Sequence, residues 1–430
     1  MRKYKRYMAK LVPVVMLLTM ASPVFAADVE LSLDDSIALA MKNNYDIKYA
    51  QSAREKAYWS LKETENNKGI SIDYAHSDSK YDAASSSYSS SSSSGMTYSN
   101  QIALSVPIYS GGSLENKVEQ AKLNLKVADL DVDAAKQQLK LTVVNDYLAV
   151  LAFQNAVKVN QSTAANYQEH LDLVNSKYEI GVVAKTDVLS SQVDLAKAQD
   201  NLIVAQNNYQ NAVAALNNAV GLPHDTKLTL KDEFAYKKYP LTLEECLQYS
   251  VLHRPEITQN DAKIASAQYG VKIAQSGKLP TVSLSAAENW NDGDFPGMSN
   301  NNWTVKLTTS LNLFDSGLTK SQIKQAEHNV DMVSDQASQE WDSILLSVRQ
   351  YYLSMAEAEK RIDTNKVSVN QAEENLMIQK ARYEVGVGTN LDLRDAVLAL
   401  DSAQKDYIQA LYDYHTSKAK LEQAMGLPVQ

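Results

Sequence analysis

The chain has 430 residues, 44% of them hydrophobic and 22% charged, and a formal net charge of −9. An acidic chain is a poor partner for nucleic acid, so none is expected. One cysteine, Cys246, excludes an intramolecular disulfide, and six histidines without paired spacing offer no metal site.

Residues 1–26 read as a signal peptide. Arg2, Lys3, Lys5, Arg6 and Lys10 form a basic head, Leu11 to Met20 a short apolar run, and Val24-Phe25-Ala26 a cleavage site. The run falls short of the ~18 to 20 apolar residues of a retained membrane helix. Removing five positive charges and no acid takes the net charge from −9 to −14. No later run is long and apolar enough to cross a membrane as a helix. A membrane location therefore demands a β-barrel, the other structure that satisfies its backbone in lipid.

The mature chain is one unit written twice. Lys177-Tyr178-Glu179-Ile180-Gly181-Val182 returns as Arg382-Tyr383-Glu384-Val385-Gly386-Val387, displaced by 205 residues. The same offset pairs Ile108-Tyr109-Ser110-Gly111-Gly112 with Leu313-Phe314-Asp315-Ser316-Gly317, and Gly221-Leu222-Pro223 with Gly426-Leu427-Pro428. A period this long excludes an array of small stacked modules. The first repeat is read as 27–223 and the second as 241–430, with a linker at 224–240.

Each repeat opens with a helix, Leu33 to about Asn66 and Leu243 to about Ser276. In the second of these, Cys246 stands opposite Ser36 and reads as a small buried residue. A segment of period two follows, at about 70–109 and about 279–314. Ile70, Ile72 and Tyr74, then Ile102, Leu104, Val106 and Ile108, alternate with polar residues. Val282 and Leu284, then Val305, Leu307, Leu311 and Leu313, do the same. Each run is near the ~9 to 11 residues of a tilted membrane strand. The Ser-rich stretch Ser85 to Ser94 and the polar stretch Asn291 to Gly297 connect them as loops.

A long helix comes next, at about 113–178 and about 318–383, with no Gly or Pro inside the first. Some 65 residues at ~1.5 Å each make a rod roughly 100 Å long, which must run beside other helices through open space. Val118, Ala121, Leu125, Ala128, Val132, Ala135 and Leu139 form one seam at spacings of three and four. Val127, Leu130, Ala134, Leu141, Val144, Leu148 and Leu151 form a second on another flank, so this helix has neighbours on both sides. Returning helices at about 186–220 and about 391–425 alternate large and small residues, with Ala198, Ala205, Ala212 and Ala219 in the first and Ala403, Ala410 and Ala424 in the second. A returning and an opening helix stacked end to end match the long helix in length.

Four strands cannot close around anything, and open edges in lipid are forbidden. Three copies supply twelve strands, an even number in the range of known barrels. The expected fold class is thus α+β and mainly α: a β-barrel of four strands per chain and twelve per trimer, continued by a long α-helical barrel.

The duplication, the order of hairpin and long helix, the strand exit Val106 to Gly112 and the Tyr-Glu-x-Gly turns followed by Asp resemble the TolC family of outer-membrane efflux channels. That resemblance implies a homotrimer in outer-membrane lipid, with its helical barrel in the periplasm and an equatorial belt that includes His224 to Pro240. It further implies a periplasmic adaptor protein and an inner-membrane transporter as partners. By position, Asp392 and Asp395 match acidic residues lining the channel entrance, while Tyr178, Asp187 and Tyr383, beside turn residues Gly181 and Gly386, match those tying the tip shut. Gly388 stands where the best-known member has Arg, so a latch here would draw on Arg394 or Lys185, or be weaker. Asp187, Asp392 and Asp395 also suit a helix first turn. A coiled-coil tether or adhesin without conduction is the alternative. No clustered acid, base or nucleophile, phosphate loop or GxSxG elbow points to an enzyme, and no cofactor is expected.

Overall fold

The computed structural model describes residues 29–82 and 94–427. The segment 1–26, most of the Ser-rich connection and Pro428 lie outside the described residues. Strand β1 (Val29–Leu31) leads into α1 (Leu33–Asn43), α2 (Tyr45–Asn66), β2 (Ser71–Asp82), β3 (Ser94–Ser110), α3 (Ser113–Glu179) and α4 (Lys185–Val220). After β4 (Leu228–Leu230) come α5 (Leu243–His253), α6 (Pro255–Gln275), β5 (Thr281–Asp292), β6 (Asn301–Ser310), α7 (Leu318–Glu384) and α8 (Asn390–Ala424).

The long helices α3 and α7 have 67 residues each. Both start after a left-handed glycine, Gly112 or Gly317. The preceding residue is left-handed too, and there Ser316 (φ 54°) replaces Gly111 (φ 65°). Asp315 holds the second start by accepting from the Gly317 and Thr319 amides at 3.0 and 2.8 Å. A side-chain acceptor thus steadies a conformation that serine rarely adopts.

The opening helices are not continuous rods. Each breaks after eleven residues, at Asn44 and at Arg254. Pro255 disfavours the α conformation at Arg254, and Asn44 turns its side chain to the Asp46 amide as a new cap. Both break residues also reach the end of a returning helix. Asn44 Nδ2 donates to the Ala219 carbonyl (3.0 Å) and Arg254 to the Gln423 carbonyl (2.8 Å). The helix ends meet closely: a Cβ on Gly221 would lie 2.7 Å from Asn43 Cβ, and one on Gly426 2.8 Å from the His253 carbonyl oxygen. The stacked pairs are therefore α4 with α2, and α8 with α6.

α3 packs against α4 and α8 over one half of its length and against α2 and α6 over the other; α7 packs against α8 and α6. The result is a layer whose outer sides, on α4 with α2 and on α7, meet no further helix along most of their length among the described residues. The apolar seam of α7 on that side stays exposed at heptad steps, through Leu318, Met332, Leu346, Leu353 and Val367. Tyr45, Tyr49 and Trp59 of α2 and Leu189, Val193 and Ile203 of α4 are exposed as well. The alanine seams are buried at Ala198, Ala205, Ala212, Ala219, Ala410 and Ala424.

At mid-length the linker is not an irregular tether, since β4 pairs parallel with β1. Asp232 accepts from the Leu33 amide (2.8 Å) and from the Tyr147 hydroxyl (2.6 Å), pinning the linker to α3. Two apolar cores form here, one around Val143, Tyr147 and Leu216, the other around Val348, Tyr414 and Leu421. Cys246 is buried in the second.

Four strands form an antiparallel sheet in the order β2-β3-β5-β6. β6 stops at Ser310, short of the expected end near 314, because the chain there turns toward the Asp315 cap and leaves Leu313 and Phe314 exposed. Proline lacks an amide donor, and the β3–β5 register shifts between Pro107 and Tyr109.

Candidate functional site

Two regions carry the chemistry: the sheet and the far end of the long helices. Register puts Ile72 and Tyr74 beside Leu104 and Ile102, and these beside Ala286 and Glu288. Leu284, Ala286 and Glu288 then face Leu307, Val305 and Trp303. The middle of one sheet face is thus apolar apart from Glu288, and His76 and Asn100 follow it at the distal end. The opposite face carries Asp73, Gln101, Ser105, Ser285, Asn289, Thr304 and Lys306. On it Gln101 donates to Asn289 at 2.8 Å and Ser99 to Asn291 at 3.0 Å. Such alternation suits lipid on one side and water on the other.

At the tip, each hairpin turn is a helix C-terminal motif closed by a left-handed glycine. The Val182 amide reaches the Lys177 carbonyl (2.9 Å) over Gly181 (φ 76°), and the Val387 amide the Arg382 carbonyl (3.0 Å) over Gly386 (φ 84°). Gly388 lies tight against this second turn. A Cβ there would sit 3.0 Å from the Tyr383 amide nitrogen, so the turn as built leaves little room for a side chain.

Leu171, Val174, Val188, Tyr383, Leu393 and Val397 form an apolar core that joins all four tip helices. His170 of α3 lies within it, its ring 5.3 Å from that of Tyr383. Asn390 Nδ2 faces Asp187 Oδ1 (3.3 Å) and Ser190 Oγ (3.5 Å). A carboxylate only accepts, so the amide oxygen of Asn390 must turn to His170 Nε2, at 2.5 Å, and Nε2 carries the proton. His170 Nδ1 is left buried and bare. Burial holds His170 below its ordinary 6.5, against the pull of Asn390, Asp194 and Asp187; Arg394 lowers it further. A cavity of about 250 Å³ lies beside it, lined by Glu169, Lys380 and Glu384 as well as leucines.

Charged contacts cross the same junction. Lys177 Nζ donates to the Tyr383 carbonyl at 2.5 Å and sits 4.5 Å above the Tyr383 ring. Lys380 pairs with Glu169 at 2.6 Å, and Arg394 of α8 pairs with Asp194 of α4 at 2.5 Å.

The sequence-expected residues divide. Tyr383 is 3% exposed and its hydroxyl makes no hydrogen bond among the described residues, whereas Tyr178 is 43% exposed. Asp187 accepts from the Ala184 amide at 3.2 Å as well as from Asn390. Asp392 completes a capping box with Thr389, accepting from its hydroxyl at 2.7 Å, and these bonds hold its carboxyl below the usual range. Asp392 and Asp395 are both exposed near the start of α8. Arg394 links α8 to α4 through Asp194, which periodicity alone did not single out. His170 and Asn390 were also missed. The signal for His170 was a polar residue on the seam Thr163, Tyr167, His170, Val174. Among the described residues no cluster of metal-ligand type occurs, and no helix is long and apolar enough to cross a membrane.

The profile of the outer membrane efflux protein family matches residues 37–222 and 247–427. Outer membrane protein TolC of Salmonella enteritidis is 23% identical over 433 residues, 97% of this chain and 86% of that one. The alkaline protease secretion protein AprF of Pseudomonas aeruginosa is 25% identical over 297 residues, 68% of this chain and 62% of that one. Among solved structures, the Campylobacter jejuni CmeC outer membrane channel superposes with a TM-score of 0.80 at 20% identity, covering 92% of this chain and 85% of that one. The open state of the Neisseria gonorrhoeae MtrE outer membrane channel gives 0.76 at 18% identity, covering 99% and 97%.

Proposed function

This chain belongs to the outer membrane efflux protein family, that of TolC, and we propose that three copies of it build a passive exit duct across the outer membrane and periplasm. The observation that carries this reading is the pair of unlike, unfilled edges. In the sheet, β2 and β6 are the outer strands; in the helical layer, α7 and the α4–α2 pair leave apolar seams exposed. A second copy fits its β2 and α4–α2 edge against β6 and α7 of the first, and three copies give twelve strands and a closed helical ring. The two-faced sheet favours a conducting pore over a solid tether, because a tether has no use for a polar inner face.

The duct acts with a periplasmic adaptor and an inner-membrane transporter, which supplies the energy. Relatives named for protease secretion, pyoverdine export and solvent efflux support an efflux or secretion role, and in this reading the transporter chooses the cargo. The tip is the entrance. Three copies place six carboxylates from Asp392 and Asp395 around it, and the field they focus favours cations. Planar-bilayer conductance of the purified protein tests the reading. We expect a cation-preferring channel that polyvalent cations block from the tip side, most strongly at low salt. Asp392→Asn with Asp395→Asn should relieve the block while assembly persists; no conductance at any voltage would return the chain to a tether.

A further inference from the structure

The connection between β5 and β6 does not project freely from the sheet. It folds back over the distal end of the apolar face. Asn100, on the same face as Ile102 and Leu104, is 3% exposed beneath it. Its amide nitrogen donates to the carbonyls of Pro296 (2.8 Å) and Gly297 (3.3 Å). Its oxygen takes the Tyr74 hydroxyl at 2.7 Å and lies 2.8 Å from His76 Nδ1, two neighbours on that face. Its nitrogen thus holds the loop while its oxygen is fixed by β2. Gly297 (φ 80°) lies flat on Tyr98, where a Cβ would fall 2.5 Å from Tyr98 Cβ. Phe295 meets the Tyr98 ring edge-on at 5.6 Å.

This loop buries Gly297 against the sheet and exposes its large apolar side chains. Phe295 is 71% exposed and Met298 55%, on the side of the sheet that carries Tyr74 and Trp303. Height agrees with that placement. From the register shift at Pro107 and Tyr109 to Asn100 is about eight residues, or roughly 20 Å along a membrane normal for strands tilted ~40°. An apolar barrel band is about 25 Å tall with aromatic girdles at its margins. The loop therefore sits at the margin farther from the long helices.

We propose that residues 293–300 form a lipid-facing wedge, which inserts Phe295 and Met298 among the acyl chains of the outer leaflet. It anchors the barrel in the membrane and lies outside the mouth. Asn100 satisfies two of the backbone carbonyls that would be costly in that layer, and the Asp294 carbonyl takes the Gly297 amide. Asp292, just before the wedge, and Asp294, at its N-terminal end, mark where it meets the headgroups.

This inference rests on the barrel reading, and one experiment separates the two. The full-length protein, with Cys246→Ser as background, is reconstituted in phosphatidylcholine vesicles. Single cysteines at Met298→Cys, Val305→Cys in the apolar band and Lys197→Cys on exposed α4 carry a fluorophore. Quenching by a nitroxide on the lipid acyl chain is compared with quenching by aqueous iodide. Lipid quenching should dominate at 298 and 305, and iodide at 197. Adding Asn100→Ala, or Gly297→Ala as a second way to lift the loop, should reverse the preference at 298 alone. Iodide dominating at 298 with lipid at 305 would overturn the wedge and leave the barrel standing. Iodide dominating at 305 would overturn the barrel itself, and the wedge with it.

Discussion

The two hairpin turns share a Tyr-Glu-x-Gly sequence and the same backbone geometry, yet they stand in different surroundings. Tyr178 of the first is largely open to solvent, while Tyr383 of the second is packed against His170 beneath Lys177. The first returning helix starts at Ala184, whose side chain offers no acceptor, and Asp187 is free to reach across to Asn390. The second starts at Thr389 with a complete capping box. Copying a sequence copies the turn. It does not copy the neighbours, and at this tip the neighbours decide which side chain becomes a core residue.

The sharpest way to break that comparison is to truncate both tyrosines. Tyr383→Ala should cost the tip about 3–5 kcal/mol, as removal of a buried aromatic does. Tyr178→Ala should stay within about 0.5 kcal/mol, the range of surface changes. Hydrogen exchange in residues 376–400 reads the difference, and equal loss of protection in the two variants would erase the asymmetry. Smaller effects are expected along the arms. Leucine at Ala410, which is fully buried, should strain its seam by about 1–3 kcal/mol, with Ala205 close behind and exposed Lys197→Leu far milder. The yield of assembled protein and its thermal midpoint rank the three.

The caps offer a two-way test. Thr389→Ala should destabilise the start of α8 by about 1 kcal/mol. Ala184→Thr should strengthen the start of α4 by a similar amount, since Asp187 already supplies the other half of the box. Exchange of the first-turn amides of each helix decides between them. The smallest expected effect depends on pH. His170 is held below 6.5 in the packed tip, so the unpacked tip binds the proton more readily. Its contribution to packing is complete above 6.5 and is lost as pH falls through the lowered native value. A second proton on Nδ1 would meet no acceptor among the described residues, and Arg394 opposes it, while Asp194 and Asp187 offset part of that cost. Tip exchange should quicken on acidification below 6.5, and His170→Gln should flatten that response; an unchanged slope would remove His170 from the junction.

Helix lengths and turns were legible because period and punctuation are local. The absence of Gly and Pro across α3 and the glycines at 181 and 386 suffice for their ends. The break at Arg254 was also written in the sequence, in the proline after it, and the repeat could have carried it back to Asn44. The linker strand β4 could not be read, since its partner β1 lies about 200 residues away and only three pairs hold it. The same distance hid the tip junction. His170 and Asn390 are 220 residues apart, and nothing in the spacing of either announces the other. Periodicity shows that a seam exists, whereas which polar side chain crosses it is settled by tertiary packing.

The two edges of the chain differ in kind. β6 and α7 lie on one side, β2 and α4 with α2 on the other, so copies can join only head to tail. A contact of that sort has no built-in number. In the trimer proposed above, nothing along either edge counts to three; the count would follow from the angle through which each copy turns the next, set by the curvature of the helical layer and the twist of the sheet together. Two structures with separate preferences, the sheet in lipid and the helices in water, would then have to agree on a single rotation of 120° per copy. A substitution that altered the bend of α3 or α7 alone would put them at odds. The expected failure is then a ring that closes at one end and gapes at the other, and the helical ends far from the membrane would be the first to part.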